Sequence, residues 1–209
     1  MSLKNKKVLV TAGPTWAPID RVRVISNTAT GETGLMLARE LNARGARVTL
    51  LMGPVAGPFA QLKNVRVIKF RFYQELKKEL FSQLQSGNYD IAIHSAAVSD
   101  YILRKPFTGK LSSAKKSLHL RLVPAEKLIS SIKKISKNTF VVGFKFEPSA
   151  SEARLFREAS MMIRERTCDA VVANTLSAGK YRAYIAARGE WLGPLYSKKT
   201  LAFTLVKSL

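Results

Sequence analysis

Apolar residues in this chain come in short unbroken runs, separated by stretches where they recur every three or four positions. Unbroken runs suit strands covered on both faces, and spaced recurrence suits the helices that cover them. Lys7–Ala12, 48–52, Val65–Lys69, 90–95, 140–144 and 170–173 therefore read as strands. Between them, 31–43 reads as a helix, with Leu35, Ala38, Leu41 and Asn42 near helical spacing, Thr30 as N-cap and Gly45 as stop. Three more helices are predicted over 73–84, from beyond Pro124 to about 135, and over 151–166. Residues 15–30 read as a long loop and 101–116 as irregular, while 118–123 alternates like an exposed strand. In the tail, 183–187 and 201–206 look like two β runs closing a hairpin. The alternation predicts an α/β fold: a three-layer, Rossmann-like, mostly parallel sheet with helices on both faces and a small β extension. No repeat or linker divides it, so a single domain over 1–209 is expected.

Composition narrows the class. Apolar residues make up 46% of the chain, enough for a real core, and no run reaches the roughly 20 apolar residues of a membrane span. The opening Met1-Ser-Leu-Lys-Asn-Lys-Lys7 is basic, but the apolar stretch behind it is too short and turn-rich for a signal peptide. A cytoplasmic protein with no membrane partner is the expectation. One cysteine, Cys168, excludes an internal disulfide, and with only His94 and His119 no Cys/His zinc spacing exists. Cys168 precedes an apolar run and reads as a buried, inert thiol. The 35 basic against 14 acidic residues leave a net +21, a field that attracts polyanions of any kind. The basic residues are spread out, with short clusters at 4–7, 63–78, 104–121 and 198–199, and no nucleic-acid-binding signature accompanies them.

In an open parallel sheet, ligands bind beyond the carboxyl ends of the strands. The first such end is Thr11-Ala-Gly13-Pro-Thr15, followed by a loop through Arg23 and Asn27 to Gly31-Glu-Thr-Gly34, where small residues opening a helix suit an anion. It is neither the Gly-x-Gly-x-x-Gly fingerprint nor the Gly-x-x-x-x-Gly-Lys phosphate loop. A second end is Ser95-Ala96-Ala-Val-Ser-Asp100, where Asp100 suits a ribose hydroxyl, a magnesium ion or a helix cap. Lys110 lies on the irregular segment, where a mobile lysine reaches phosphates or simply solvent. Phe144 and Asn174 end two later strands and suit a base face and a ring edge, or core and turn.

In order along the chain, Val8-Leu-Val-Thr-Ala-Gly-Pro-Thr15, Pro18-Ile-Asp20, Val22-Arg-Val-Ile-Ser-Asn27, Ala96-Ala-Val-Ser-Asp-Tyr101, Val142-Gly-Phe144 and Val172-Ala-Asn174 resemble the phosphopantothenate–cysteine ligases of coenzyme A biosynthesis. The resemblance runs from Lys7 to about Asn174. It implies an enzyme that activates the carboxylate of 4'-phosphopantothenate with a nucleoside triphosphate, giving an acyl-nucleotide and pyrophosphate. The amine of L-cysteine then displaces the nucleotide. The resemblance also assigns roles. Asn27 binds the acyl-phosphate and assists the second step, supported by Arg23 and by Gly31 and Gly34 on the substrate side. Gly13, Ser95, Ala96, Asp100, Glu126, Lys127, Phe144, Arg166 and Asn174 contact nucleotide. Lys110 stabilises the triphosphate while the acyl-nucleotide forms, and Asp100 holds Mg2+ through the triphosphate. A homodimer paired through the strand near 118–123 is implied, as is a separate decarboxylase acting in the same pathway.

The chain departs from the pattern. The bacterial Ser-Ser-Gly-Lys-Met-Gly is here Ala29-Thr-Gly-Glu32-Thr-Gly34, an anion in place of a cation, and the lysine loop reads Lys110-Leu-Ser-Ser113. Ser99, Val123-Pro124 and Phe144-Lys-Phe-Glu147 look like the eukaryotic branch, which favours ATP, while the Thr11-Ala-Gly-Pro-Thr15 opening looks like the bacterial one, which uses CTP, so CTP is expected and ATP remains open. Two other readings stand beside the ligase: an NAD(P)-dependent oxidoreductase, against which the missing fingerprint argues, and a non-catalytic nucleotide-binding relative. Binding to nucleic acid is not expected.

Overall fold

The computed structural model describes residues 3–55, 62–114 and 116–209; Met1, Ser2 and Lys115, named above among the basic segments, lie outside the described residues. The first strand, β1 (Lys7–Ala12), is exposed only at Lys7, because Val8, Leu9 and Val10 are covered on both faces. The hairpin β2 (Trp16–Pro18) and β3 (Val24–Ser26) leads to α1 (Glu32–Ala43), β4 (Arg47–Met52), β5 (Val65–Lys69), α2 (Tyr73–Ser86) and β6 (Ile91–His94). A second small pair, β7 (Tyr101–Leu103) and β8 (Leu122–Pro124), precedes α3 (Leu128–Ile135), β9 (Phe140–Phe146) and α4 (Glu152–Arg164). The chain closes with β10 (Ala170–Ser177), β11 (Lys180–Ala187), β12 (Glu190–Leu195) and α5 (Lys198–Ser208).

Eight strands form one sheet in the order β12-β11-β10-β9-β6-β1-β4-β5. Pairing is parallel from β5 through β10, and β11 and β12 extend the sheet antiparallel. Helix α1 buries Leu37, Ala38 and Leu41 on one face, beside Leu201, Ala202, Leu205 and Val206 of α5. The opposite face carries Leu76 and Leu80 of α2, Leu128 and Ile132 of α3, and Leu155 and Ala159 of α4. These are the three layers expected. The chain leaves β1 toward β4 and β5 on one side, then returns to β6 on the other. The crevice beyond β1 and β6 is thus the topological switch point, where such sheets hold ligands.

Several expectations need correction. Residues 201–206 are helical: Ser197 caps α5 by accepting the Thr200 N–H at 3.0 Å, and the apolar residues bury at i, i+1, i+4 and i+5 instead of alternating. The tail hairpin is β11 with β12. The 15–30 loop contains the β2–β3 hairpin, and the irregular 101–116 begins with β7, which pairs with β8; 118–121 are not strand. Gly31, at φ 72°, occupies the N-cap of α1 in place of Thr30, because the entering chain needs the left-handed region. Helix α4 ends at Arg164, and Arg166 lies past it with φ 53°. No helix among the described residues is long and apolar enough to cross a membrane.

Candidate active site

The loops leaving β1 and β6 continue side by side past the sheet. Ser95 N–H donates to the Thr11 carbonyl at 3.1 Å, Ala97 N–H to Gly13 at 2.9 Å, and Thr15 N–H back to Ala97 at 3.2 Å. Two buried hydroxyls stitch them further: Ser99 N–H donates to Thr15 Oγ1 at 2.9 Å, and that hydroxyl donates to Ser99 Oγ at 3.0 Å. This gives the rim a rigid floor. Helix α1 is pressed onto it, since a Cβ on Gly34 would sit 2.3 Å from Ala12 Cβ and 2.9 Å from Ser95 Oγ. No larger residue fits that approach, which explains the glycine in the first turn of the helix.

Asn27 follows β3 and reaches the same floor. Its Nδ2 donates to the carbonyls of Ala97 at 3.1 Å and Val98 at 3.4 Å. Those bonds occupy the NH2 group, so Oδ1 is the atom that faces outward. A cavity of about 570 Å3 opens here, lined by Trp16, Asn27, Thr30 and Pro54 among others. A larger one, about 740 Å3, lies by Lys7, Arg47 and Tyr89 at the amino ends of the strands and contains none of the predicted site residues.

Arg23 connects this region to the lysine loop through Asp20, whose role could not be read from the sequence. Asp20 has a fully covered side chain, and its Oδ2 accepts from Arg23 Nη1 at 2.5 Å and from Leu111 N–H at 3.0 Å. Arg23 Nη1 also donates to the Leu111 carbonyl at 3.2 Å. The Leu111 N–H, ahead of the other bonds, holds the Asp20 carboxyl down at about 2, so it is ionised at any ordinary pH. The turn Asp20–Arg23 thus clamps the backbone next to Lys110 against the hairpin that leads to Asn27. Lys110 itself is exposed, with no carboxylate partner among the described residues.

Phe144 and Asn174 lie on neighbouring strands. Gly143 pairs with His94, so Phe144 stands one strand over from Ser95, half-buried on the α1 face. Asn174 lies two residues past Val172, the register partner of Phe144. Asn174 Oδ1 and the Tyr181 hydroxyl on β11 are both shut off from solvent, with Asn174 beside the Tyr181 hydroxyl, and neither signal could be read from the sequence. Asp100 pairs with Lys127 at the start of α3. Glu126 is occupied from the other face of the sheet by Lys77 at 2.5 Å and Ser131 at 3.0 Å. Arg166 is not at this rim: Asp169 N–H, three residues on, bonds Val141 at the start of β9, which puts Arg166 near the opposite end of the strands. Among the described residues no three His, Cys, Asp or Glu side chains gather, so a protein-built metal cage is absent there. A single exposed carboxylate such as Asp100 fits an ion shared with phosphate oxygens.

Fold and rim together define an open α/β protein with a crevice at its topological switch point, where the predicted site residues Asn27, Ser95 and Ala96 meet. Residues 3–206 match the DNA/pantothenate metabolism flavoprotein C-terminal domain, and the chain belongs to that family. It is 37% identical over 177 residues to the coenzyme A biosynthesis bifunctional protein CoaBC of Thermococcus kodakarensis, covering 85% of this chain and 43% of that protein. The chain therefore spans less than half the length of that relative. Its fold is similar to a DNA/pantothenate metabolism flavoprotein from Streptococcus pneumoniae, with a TM-score of 0.85, 26% identity and 97% of each chain covered. It also shares the fold of a Cab2 H337A mutant in complex with phosphopantothenate-cysteine, with a TM-score of 0.78 at 17% identity, covering 98% of this chain and 86% of that one.

Proposed function

We propose that this chain forms the amide between 4'-phosphopantothenate and L-cysteine, by way of an acyl-nucleotide, releasing pyrophosphate and a nucleoside monophosphate. The observation that carries the reading is the clamp described above. Asp20 and Arg23 tie the Lys110 loop to the hairpin that presents Asn27, at the crevice beyond β1 and β6. The family, and the coenzyme A role in the Thermococcus relative's name, support the same substrates.

A carboxylate resists attack by an amine until one of its oxygens becomes part of a good leaving group, and joining it to the α-phosphate does that. The protein's work is then alignment and charge neutralisation. Backbone at Gly13 and Gly31 receives phosphate oxygens at the positive end of α1. Gly34 lets that end come down onto Ala12 and Ser95. Lys110, on a tethered but exposed loop, brings an ammonium to the triphosphate as pyrophosphate departs. Asp100 would hold magnesium, which supplies further neutralisation of the phosphates, and Lys127 is its stand-in counter-charge. Phe144 offers an aromatic face to the base, with Asn174 beyond it. Asn27 Oδ1, left outward by the Ala97 and Val98 bonds, accepts from the incoming amine and aligns it on the acyl carbon.

We assign CTP as the nucleotide, with ATP as the alternative. The pairing of two chains is assigned to the β7–β8 side, where Tyr101, Phe107, Leu118 and Leu122 are exposed. The test is a pyrophosphate-release assay with phosphopantothenate and cysteine, run in parallel with CTP and ATP, on protein whose mass is read by sedimentation. Release dependent on phosphopantothenate, from a particle twice the 23.2 kDa chain, is expected. A chain that releases no pyrophosphate with either nucleotide would overturn the assignment.

A further inference from the structure

Glu32 opens α1 immediately after Gly31, where the ligase reading puts the triphosphate. A carboxylate there repels the group the site must receive. The structure answers it from the far end of the chain: Lys198 Nζ lies 2.6 Å from Glu32 Oε2, although 166 residues separate the two. Lys198 does not owe its place to Glu32. It is the first residue of α5, which Ser197 caps and which Leu201, Ala202, Leu205 and Val206 bury against α1. The ion pair is not needed to hold the helix. Both side chains remain partly in water, 35% and 49% exposed, and pairs at that exposure contribute at most about 1 kcal/mol. The bond is therefore easily exchanged, and an ammonium has three donors to share.

We propose that Lys198 is a positioning residue for the triphosphate: Glu32 parks its ammonium at the first turn of α1, and an arriving phosphate oxygen takes over part of that bond. In this account the cation missing from the loop at Glu32 is supplied from α5. The pair also makes the rim selective, because a neutral or singly charged group cannot compete with the carboxylate as a polyphosphate can. The proposal rests on the ligase reading for the location of the phosphates, and it is tested by a measurement that does not need turnover.

That measurement is direct binding of CTP and CMP to the wild type and to Lys198→Gln, Glu32→Gln and Lys198→Arg. Lys198→Gln should weaken the triphosphate by roughly tenfold, the scale of one charge-assisted contact, and the monophosphate much less. Glu32→Gln should move the triphosphate the other way, to equal or tighter binding, because it removes the repulsion and releases the ammonium. Lys198→Arg should restore most of the loss. A tie that merely joins α5 to α1 would make Lys198→Gln and Glu32→Gln weaken binding alike, and that result overturns the proposal. So does Lys198→Gln binding CTP as the wild type does. Failure of the ligase reading looks different: normal CTP binding with this pattern, but no pyrophosphate release by the wild type.

Discussion

His94 ends β6 one residue before Ser95, and its ring is buried, with Nδ1 2.9 Å from Thr11 Oγ1. Burial alone pushes its pKa down to about 4, from an ordinary 6.5, because a charged imidazole there would lose its water. As pH falls below 6.5 the unfolded chain takes up a proton that the folded chain refuses until about pH 4. The stability His94 permits is thus complete above 6.5 and drains away as pH falls toward 4, by an amount on the order of 3 kcal/mol. Between pH 6.5 and 5 few carboxylates titrate, so that window isolates the imidazole. Urea unfolding of His94→Gln should show a much flatter loss of stability across it than the wild type; equal slopes would exclude His94 as the cause. Cys168 belongs to the same scale. It is buried, and burial pushes its thiol above the usual range, so the inert reading agrees with its surroundings.

At the level of elements, the pattern of apolar residues was most legible where a segment is covered on both faces or carries one clear stripe. Strands β1, β4 and β6 and helices α1 and α2 lie within a few residues of where the apolar pattern puts them, and so does the edge strand β5, although Arg66, Val67 and Lys69 on it are exposed. It misled where two periods coexist. In 201–206, Leu201, Phe203 and Leu205 alternate like a strand, but the helical set buries because Ser197 caps the turn and Phe203 stays half exposed. The β2–β3 and β7–β8 pairs are three residues a strand, too short to show any period. What holds them is specific bonding: Trp16 N–H to the Arg71 carbonyl at 2.8 Å, and Phe107 N–H to Ile19 at 2.9 Å. Asp20 is the clearest case, since only the folded chain reveals that its carboxylate clamps residue 111. Asp20→Asn should loosen the Lys110 loop, so that trypsin cuts after Lys110 at least about tenfold faster while the core stays folded. Unchanged cleavage would mean that other contacts hold the loop.

Across the whole molecule, the site is legible in part because a parallel sheet has one functional rim, and the order of the strands singles out the crevice between β1 and β6. Residues quoted from strand ends, such as Ser95, Ala96 and Phe144, fall there as a matter of topology. Arg166 does not, because a helix that follows β9 runs back down the sheet and delivers its last turn to the other end. Glu126 and Lys127 stand at the start of α3 on the opposite face from α1, with Lys127 paired to Asp100. On the proposed function, one rim serves two successive steps with different residues. Rapid-quench analysis of pyrophosphate and acyl-nucleotide in Asn27→Asp and Lys110→Gln tests it most directly. Asn27→Asp should release pyrophosphate within a few-fold of the wild type and accumulate the acyl-nucleotide, with amide formation slowed about 100-fold. Lys110→Gln should slow pyrophosphate release itself by about 100-fold. If Asn27→Asp slowed both steps equally, or neither variant slowed either step, the division of labour claimed for this rim would be contradicted.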